Sequence, residues 1–298
     1  MSAPLPLAAE ATHYRAYGIE LACDFALPAV PPPLPEATAP VQVVSARLGS
    51  GTEIAARWSG GRPVHRTRLA GGIPLTIERG RDGDHLIRCG ADRFHLSADL
   101  ARLTCPAPRS PAAWQALLDW IPYSAAVLAG VQCVHAAAVI IDGAAIALAA
   151  GSGSGKSTLA AELVGRGAEF LCDDVLALSA RDGQVVAFPG PPFAKLGSEP
   201  WVEPARRARQ PAPVAAVVAL ERSAGGPPQP RVEPWSFIGL RRLAIGIPRP
   251  EDAEAERFAA LADLARQASL LRLAAADTVG PAALAAALEG HLRQAGLP

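Results

Sequence analysis

The sequence predicts a mixed α/β protein, with a phosphate-loop domain over residues 111–298 preceded by a small β-rich domain over residues 1–110. Three observations predict it. A glycine-rich stretch, Ala150-Gly151-Ser152-Gly153-Ser154-Gly155-Lys156-Ser157-Thr158, follows an apolar run and opens a helical pattern. Short alternating segments bounded by turn residues fill the first part. Two helical patterns, over about 251–268 and 281–294, close the chain.

In the first part, Val41 to Ala46, Ile73 to Glu78 and His85 to Cys89 alternate apolar and polar residues, as half-buried strands do. Gly71-Gly72 and Asp82-Gly83 supply turns, and Pro31-Pro32-Pro33 with Pro35 is a stiff extended connector. From Pro111 the pattern changes. Trp114, Leu117, Leu118 and Ile121 recur at helical spacing, and Pro122 is expected to interrupt or kink that helix. Two apolar runs, Val131 to Ile141 and Ala144 to Ala149, flank Asp142-Gly143 and read as a hairpin. Ser157 to Arg166 reads as a helix ended by Gly167. Glu169 to Cys172, Val175 to Ser179, Val185 to Phe188 and the β-branched run Val214 to Leu220 read as strands.

Composition narrows the class. The chain has 298 residues, 50% apolar and 19% charged, a globular composition. Lys+Arg and Asp+Glu are equal at 28 each, so no net charge drives the chain toward nucleic acid or an anionic membrane. The apolar stretch 125–150 is broken by Gln132, His135 and Asp142, so no bilayer span is expected, and Met1 to Glu10 lacks the pattern of a signal peptide. Cys23, Cys89, Cys105, Cys133 and Cys172 show no CxxC spacing, which argues against a disulfide framework or zinc site and for a reducing cytoplasm. Only two of the 28 basic residues are lysine, Lys156 and Lys195. A lysine that survives such an arginine bias is a candidate for a place that needs a compact ammonium.

The loop supplies the first chemistry. Its glycines let the backbone curl until consecutive N–H groups face phosphate oxygens, and a helix N-terminus adds partial positive charge. Gly151, Ser152, Gly153, Ser154, Gly155, Lys156, Ser157 and Thr158 are therefore expected to hold ATP. Lys156 is placed for the β and γ phosphates and the Ser157 hydroxyl for Mg²⁺, while Ala150 replaces the first glycine of the usual pattern. Asp173 and Asp174 follow 17 and 18 residues after Lys156, at the end of the next strand. There one carboxylate can hold Mg²⁺ and the other can accept a proton from an attacking hydroxyl. His135 lies on the strand before the loop, where a lone histidine is as readily a hydrogen-bonded core residue as a functional one. Three readings follow: a kinase, a P-loop ATPase or ATP-sensing module, and a small-molecule kinase. An ATPase normally places its metal carboxylate at the end of a later buried strand, a place Glu221 could mimic; the early Asp pair favours the kinase.

Together, His135-Ala-Ala-Ala-Val139, the loop and Leu171-Cys172-Asp173-Asp174 resemble the HPr kinase/phosphorylase family. The resemblance implies the fold shared with ATP-dependent phosphoenolpyruvate carboxykinase. It also implies an ATP-dependent serine kinase, with Asp174 as base and Asp173 at the metal, or these two roles exchanged, and His135 beside the active site. The family's downstream glycine-rich signature is absent; Ile245-Gly246-Ile247 is a poor echo, which leaves HPr as substrate and the reverse phosphorolysis open. Tyr14-Arg-Ala-Tyr-Gly18, Pro189 to Leu196 and Leu220-Glu221-Arg222 look similar to the HPr kinase-like proteins of lasso-peptide biosynthesis. That similarity implies a peptide partner bearing a serine hydroxyl, with Lys195 in a loop over the nucleotide or substrate phosphate. Arg206, Arg207 and Arg209 form a basic cluster that either steers an acidic peptide or is a solvated loop. The β-rich part is expected to help recognise the substrate, and self-association stays open.

Overall fold

Alternation of apolar and polar side chains builds the first sheet. The computed structural model describes residues 7–27, 39–68, 72–108, 111–151, 153–192, 194–196, 199–202, 206–236 and 254–297. The connector 31–35 and the Ile245-Gly246-Ile247 stretch lie outside them. The chain divides into two units, Met1–Val131 and Gln132–Ile247 with Glu254–Pro298.

The first unit contains β1 (Leu7–Ala16), β2 (Ile19–Phe25), β3 (Gln42–Leu48), α1 (Gly51–Arg57), β4 (Gly61–Arg68), β5 (Pro74–Gly80), β6 (His85–Cys89), β7 (Asp92–Leu96) and β8 (Arg102–Cys105). The strands form one sheet in the order β1-β2-β3-β8-β7-β6-β5-β4. Pairing is parallel at β2–β3 and β3–β8 and antiparallel elsewhere. Leu21, Cys23, Val44, Phe94, Leu96 and Leu103 are fully buried on its core side. The other side carries a cleft of about 680 Å³ lined by Asp24, Ser45, Arg47, Arg57, His95 and Arg102 among others.

The unit continues past residue 110, where the sequence pattern changes, to Val131. The reason is a helical stretch that packs on β1 and β2. It consists of α2 (Pro111–Gln115), a π-helical turn Ala116–Trp120 and α3 (Ile121–Leu128). Pro122 does not interrupt it. Proline has no N–H for the carbonyl four residues back, and its ring crowds that carbonyl. Here the preceding turn is widened to π geometry, and the orphaned Leu118 carbonyl accepts the Tyr14 hydroxyl at 2.7 Å. Tyr17 donates to Asp119 at 2.6 Å and meets Tyr123 edge-on. Tyr14 and Tyr17 thus anchor this helix to the sheet of their own unit.

The second unit contains β9 (Gln132–Val134), β10 (Ala136–Ile141), β11 (Ala144–Ala149), α4 (Lys156–Gly165), β12 (Glu169–Cys172), β13 (Leu176–Arg181), β14 (Gln184–Phe188), β15 (Ala194–Leu196), β16 (Glu199–Val202), β17 (Ala212–Ser223), β18 (Arg231–Pro234), α5 (Glu254–Gln267), β19 (Ser269–Ala276) and α6 (Pro281–Gln294). Nine strands form a mixed sheet, with β15–β16 a separate hairpin. One run of neighbours is β12-β10-β11-β17-β19-β18; β14, β13 and β9 extend from β17. Among the described strands of this sheet, β11–β17 and β17–β19 pair in parallel and the rest antiparallel.

Period-two alternation places the two cores. Ala137, Val139, Ile146, Leu148, Val218 and Leu220 face α4 and α6, packing on Leu159, Leu163, Leu284 and Leu288. Ala136, Ala138, Ala145, Ala147 and Val217 face the other way, onto Leu261 and Leu264 of α5. The Asp142-Gly143 turn joins β10 to β11 as expected. Both residues have positive φ, 45° and 82°, the conformation a two-residue hairpin turn of this kind demands.

One expected element changes. The run Val131 to Ile141 is not a single strand: β9 pairs with β13, whereas β10 pairs with β11 and β12. The chain leaves one set of partners for the other at His135, which therefore sits at a bend between strands.

Candidate functional site

The site forms where β11 hands over to α4. Ala149 ends the strand, and loop 150–155 leads to Lys156, the first helical residue. Gly153 and Gly155 have φ of 77° and 95°, which L side chains rarely adopt. Ser154 Oγ donates to the Gly151 carbonyl inside the loop. Helix α4 has no side-chain N-cap, so its first N–H groups, including those of Ser157 and Thr158, have no intrahelical acceptor. That is the arrangement an anion uses. Gly151, Gly153 and Thr158 are exposed, and Ser152 lies outside the described residues.

Lys156 is 7% exposed. Its Nζ donates to the carbonyls of Ala150 at 3.0 Å and Gly151 at 3.1 Å, and reaches His135 Nε2 at 3.1 Å. These three contacts match the three N–H bonds of an ammonium. Burial pushes its pKa below the usual lysine value, and Asp174 and then Asp173 pull it part of the way back.

His135 joins the lysine to the acidic pair. Its Nδ1 lies 2.9 Å from the Asp174 carbonyl and 3.3 Å from Asp174 Oδ1. A carbonyl only accepts, so Nδ1 carries the proton and donates. Nε2 is then the acceptor that the lysine needs. The neutral Nδ1–H tautomer satisfies both contacts.

Asp173 and Asp174 follow the end of β12. Ser157 Oγ donates to Asp173 Oδ1 at 2.7 Å. Asp174 has φ of 70°, and the Val175 N–H closes on the Asp173 carbonyl at 2.9 Å. This is a three-residue turn with a non-glycine at its centre, a rare and strained conformation. The turn presents the two carboxylates in different directions, Asp173 to Ser157 and Asp174 to His135. The Asp174 side chain is 44% exposed and so reaches solvent. The neighbouring Cys172 is fully buried, which raises its thiol pKa well above normal and leaves it unsuited to nucleophilic work.

The structure therefore brings together Lys156, Ser157, His135, Asp173 and Asp174. It does not add the arginine cluster to them. Arg206 Nη1 donates to the Gly167 carbonyl at 2.7 Å, beyond the C-terminal end of α4, and Arg207 bridges to Phe170 on β12. That is the end of α4 opposite the loop, so Arg206 and Arg207 belong to the helix terminus and strand edge. Lys195 lies on β15, and its side chain falls outside the described residues. Glu221, which could have mimicked a metal carboxylate, is engaged with Arg272 at 3.2 Å.

One residue near the loop, noted above only within the Leu220-Glu221-Arg222 stretch, is given no role by local sequence. Arg222 ends the β17 face that carries Val218 and Leu220, and a Cβ on Gly155 would lie 3.4 Å from its Nη1. The signal is the parallel pairing of β17 with β11, which puts both carboxyl ends side by side.

Among the described residues no group of three or more His, Cys, Asp or Glu side chains could hold a metal ion. The Ser157–Asp173 pair does supply two adjoining hard oxygen donors beside the loop, a donor set suited to Mg²⁺ once phosphate oxygens complete it. All five cysteines are free and buried. Among the described residues, no helix is long and apolar enough to cross a membrane.

No family model matches the chain, and no curated protein matches it in sequence. Among solved structures it is similar to the Hpr(Ser) kinase/phosphatase from Coxiella burnetii, with a TM-score of 0.37 and 15% identity, over 55% of this chain and 99% of that one. A likeness this loose carries no argument about activity, which rests on the residues themselves.

Proposed function

We propose that this chain is an ATP-dependent kinase that transfers the γ-phosphate to a serine-type hydroxyl of a peptide or protein. The observation that carries the reading is the convergence of Lys156, Ser157, Asp173, His135 and Asp174 on one loop at a helix N-terminus. With the loop backbone as phosphate cradle, they match the requirements of phosphoryl transfer: Lys156 as cation, Ser157 and Asp173 as metal ligands, His135 as orienting group and Asp174 as base.

In this reading the loop amides and Lys156 hold the β and γ phosphates of ATP. Ser157 Oγ and Asp173 would hold Mg²⁺, which when bound neutralises charge building on the phosphate oxygens. Asp174 takes the proton of the acceptor hydroxyl as its oxygen bonds to the γ-phosphorus. The bond from that phosphorus to the β–γ bridging oxygen breaks, and ADP leaves. His135 positions Asp174 and, as the lysine moves from its nitrogen to phosphate, keeps a hydrogen-bond acceptor beside the ammonium.

The finer parts of the proposal are a precursor peptide of the lasso class as acceptor and a recognition role for the β-rich unit. The resemblance of Tyr14 to Gly18 and Leu220 to Arg222 supports the first. The arginine-lined cleft on the first sheet supports the second.

The test is transfer of label from γ-labelled ATP with Mg²⁺ and serine-containing peptides. Wild type is expected to label the peptide. Asp174→Asn should lose transfer by about 10²–10⁴-fold, the usual contribution of a general base, while still binding ATP. Label released only as inorganic phosphate would point to an ATPase instead. Full transfer by Asp174→Asn would remove Asp174 as the base.

A further inference from the structure

The loop has two flanks, and only one is occupied by the acidic pair. Strand β11 lies between β10 and β17. Beyond β10 is β12, bringing His135, Asp173 and Asp174 to one side; beyond β17 is β19, whose carboxyl end leads into residues 277–280. If the terminal phosphate meets the base on the first flank, the nucleoside must extend across the second. The distance suits it: two inter-strand spacings are about 10 Å, the reach of a nucleoside from its β-phosphate.

Arg222 stands on that second flank. Its Nη2 is clamped by the carbonyls of Asp277 and, at 2.9 Å, Val279. Its Nε is buried without a hydrogen-bond partner. Nη1 makes no hydrogen bond among the described residues and lies against Gly155, the N-cap of α4. Arg222 is half-buried, and its Nε is a buried donor without an acceptor, an unfavourable state, while Nη1 is left for an anion at the loop. The clamp fixes the plane of the group, so its unbonded amino group is preorganised rather than mobile.

We infer that Arg222 receives the nucleoside end of the nucleotide, its Nη1 donating to the α-phosphate. The nucleotide then lies across the sheet with its terminal phosphate toward Asp174 and its base over residues 277–280. This assignment rests on the nucleotide-binding reading above and adds the polarity of the bound ligand and the residue that sets it.

Calorimetric titration of ADP and pyrophosphate into the full chain tests it. Arg222→Gln is expected to weaken ADP about tenfold, the loss of one charge-assisted hydrogen bond, and pyrophosphate less than about twofold. Arg222→Lys, which keeps the charge, should recover part of the ADP affinity. Equal weakening of both ligands would mean that Arg222 only shapes the loop and would overturn the assignment. So would unchanged ADP affinity. Absence of nucleotide binding by wild type would remove the kinase reading along with it. A measurement on the wild-type protein guards against an unfolded variant: the Arg222 guanidinium NMR signal should shift with ADP and stay in place with pyrophosphate. A signal that moves equally with both refutes the assignment.

Discussion

Two glycine-to-alanine substitutions at opposite ends of α4 should change stability in opposite directions. Gly155 has φ of 95°, and a Cβ there would approach Arg222 Nη1 at 3.4 Å, close to ordinary contact. The penalty is therefore mainly backbone strain, about 1–2 kcal/mol for an L residue in the left-handed region. Gly165 is helical, exposed and has nothing within 4 Å of an added Cβ. Alanine there should stabilise by about 0.5–1 kcal/mol through helix propensity. The two variants should differ by about 2 kcal/mol, roughly thirtyfold in an opening equilibrium. Because the chain has two units, a single unfolding transition would blur this difference. Native-state hydrogen exchange at the amides of Leu159 to Leu163 reads it directly. Gly155→Ala with protection equal to wild type would refute the left-handed conformation on which loop 150–155 depends. A loss in Gly165→Ala as large as that in Gly155→Ala would show that methyl groups are simply unwelcome along this helix.

Further expectations concern titration and thiol access. Burial pushes His85 down to about 4, with Arg79 and His95 adding to the effect and Asp84 opposing it. Below its unfolded value of 6.5 the unfolded chain binds the extra proton, so this contribution is lost as pH falls from 6.5 through 4. Between pH 7 and 5 the loss is about 2 kcal/mol; His85→Phe should remove that part of the acid slope in urea titrations, and an unchanged slope would contradict the burial argument. Lys156 has a folded pKa below 10.5, so over the interval up to 10.5 the unfolded chain holds more protons and stability from this group rises with pH. The difference between wild type and Lys156→Met in urea midpoint should therefore grow in favour of wild type through that alkaline window, and a shrinking difference would reverse the assigned sign. The five buried thiols, with Cys23 and Cys105 pushed up to about 12 by burial, should resist alkylation at pH 8 until urea is added. Rapid labelling of the native chain would contradict their placement.

What local sequence reveals about this molecule is set by the range over which each feature is determined. Asp142-Gly143 dictates its turn through its own backbone, and α4 is bounded by Gly155 and Gly167, so both were legible. The Asp pair was legible because β12 follows α4 directly. The break at His135 was not, because the apolar run continues on both sides of it while the hydrogen-bonded neighbours change. Pro122 misleads for a related reason: the acceptor it strands is satisfied by Tyr14, more than a hundred residues away. Arg222 depends on β17 lying beside β11, a pairing across more than sixty residues that no local pattern encodes.

The self-contained bonding of Lys156 has a consequence for selectivity. With its ammonium held by Ala150, Gly151 and His135, the loop carries its own internal plug. An incoming anion must offer more than three neutral acceptors already provide. A monovalent ion such as chloride competes poorly on those terms, whereas a polyphosphate brings several charges to the same spot. On the proposed nucleotide-binding reading, the lysine is a threshold that background salt fails to cross.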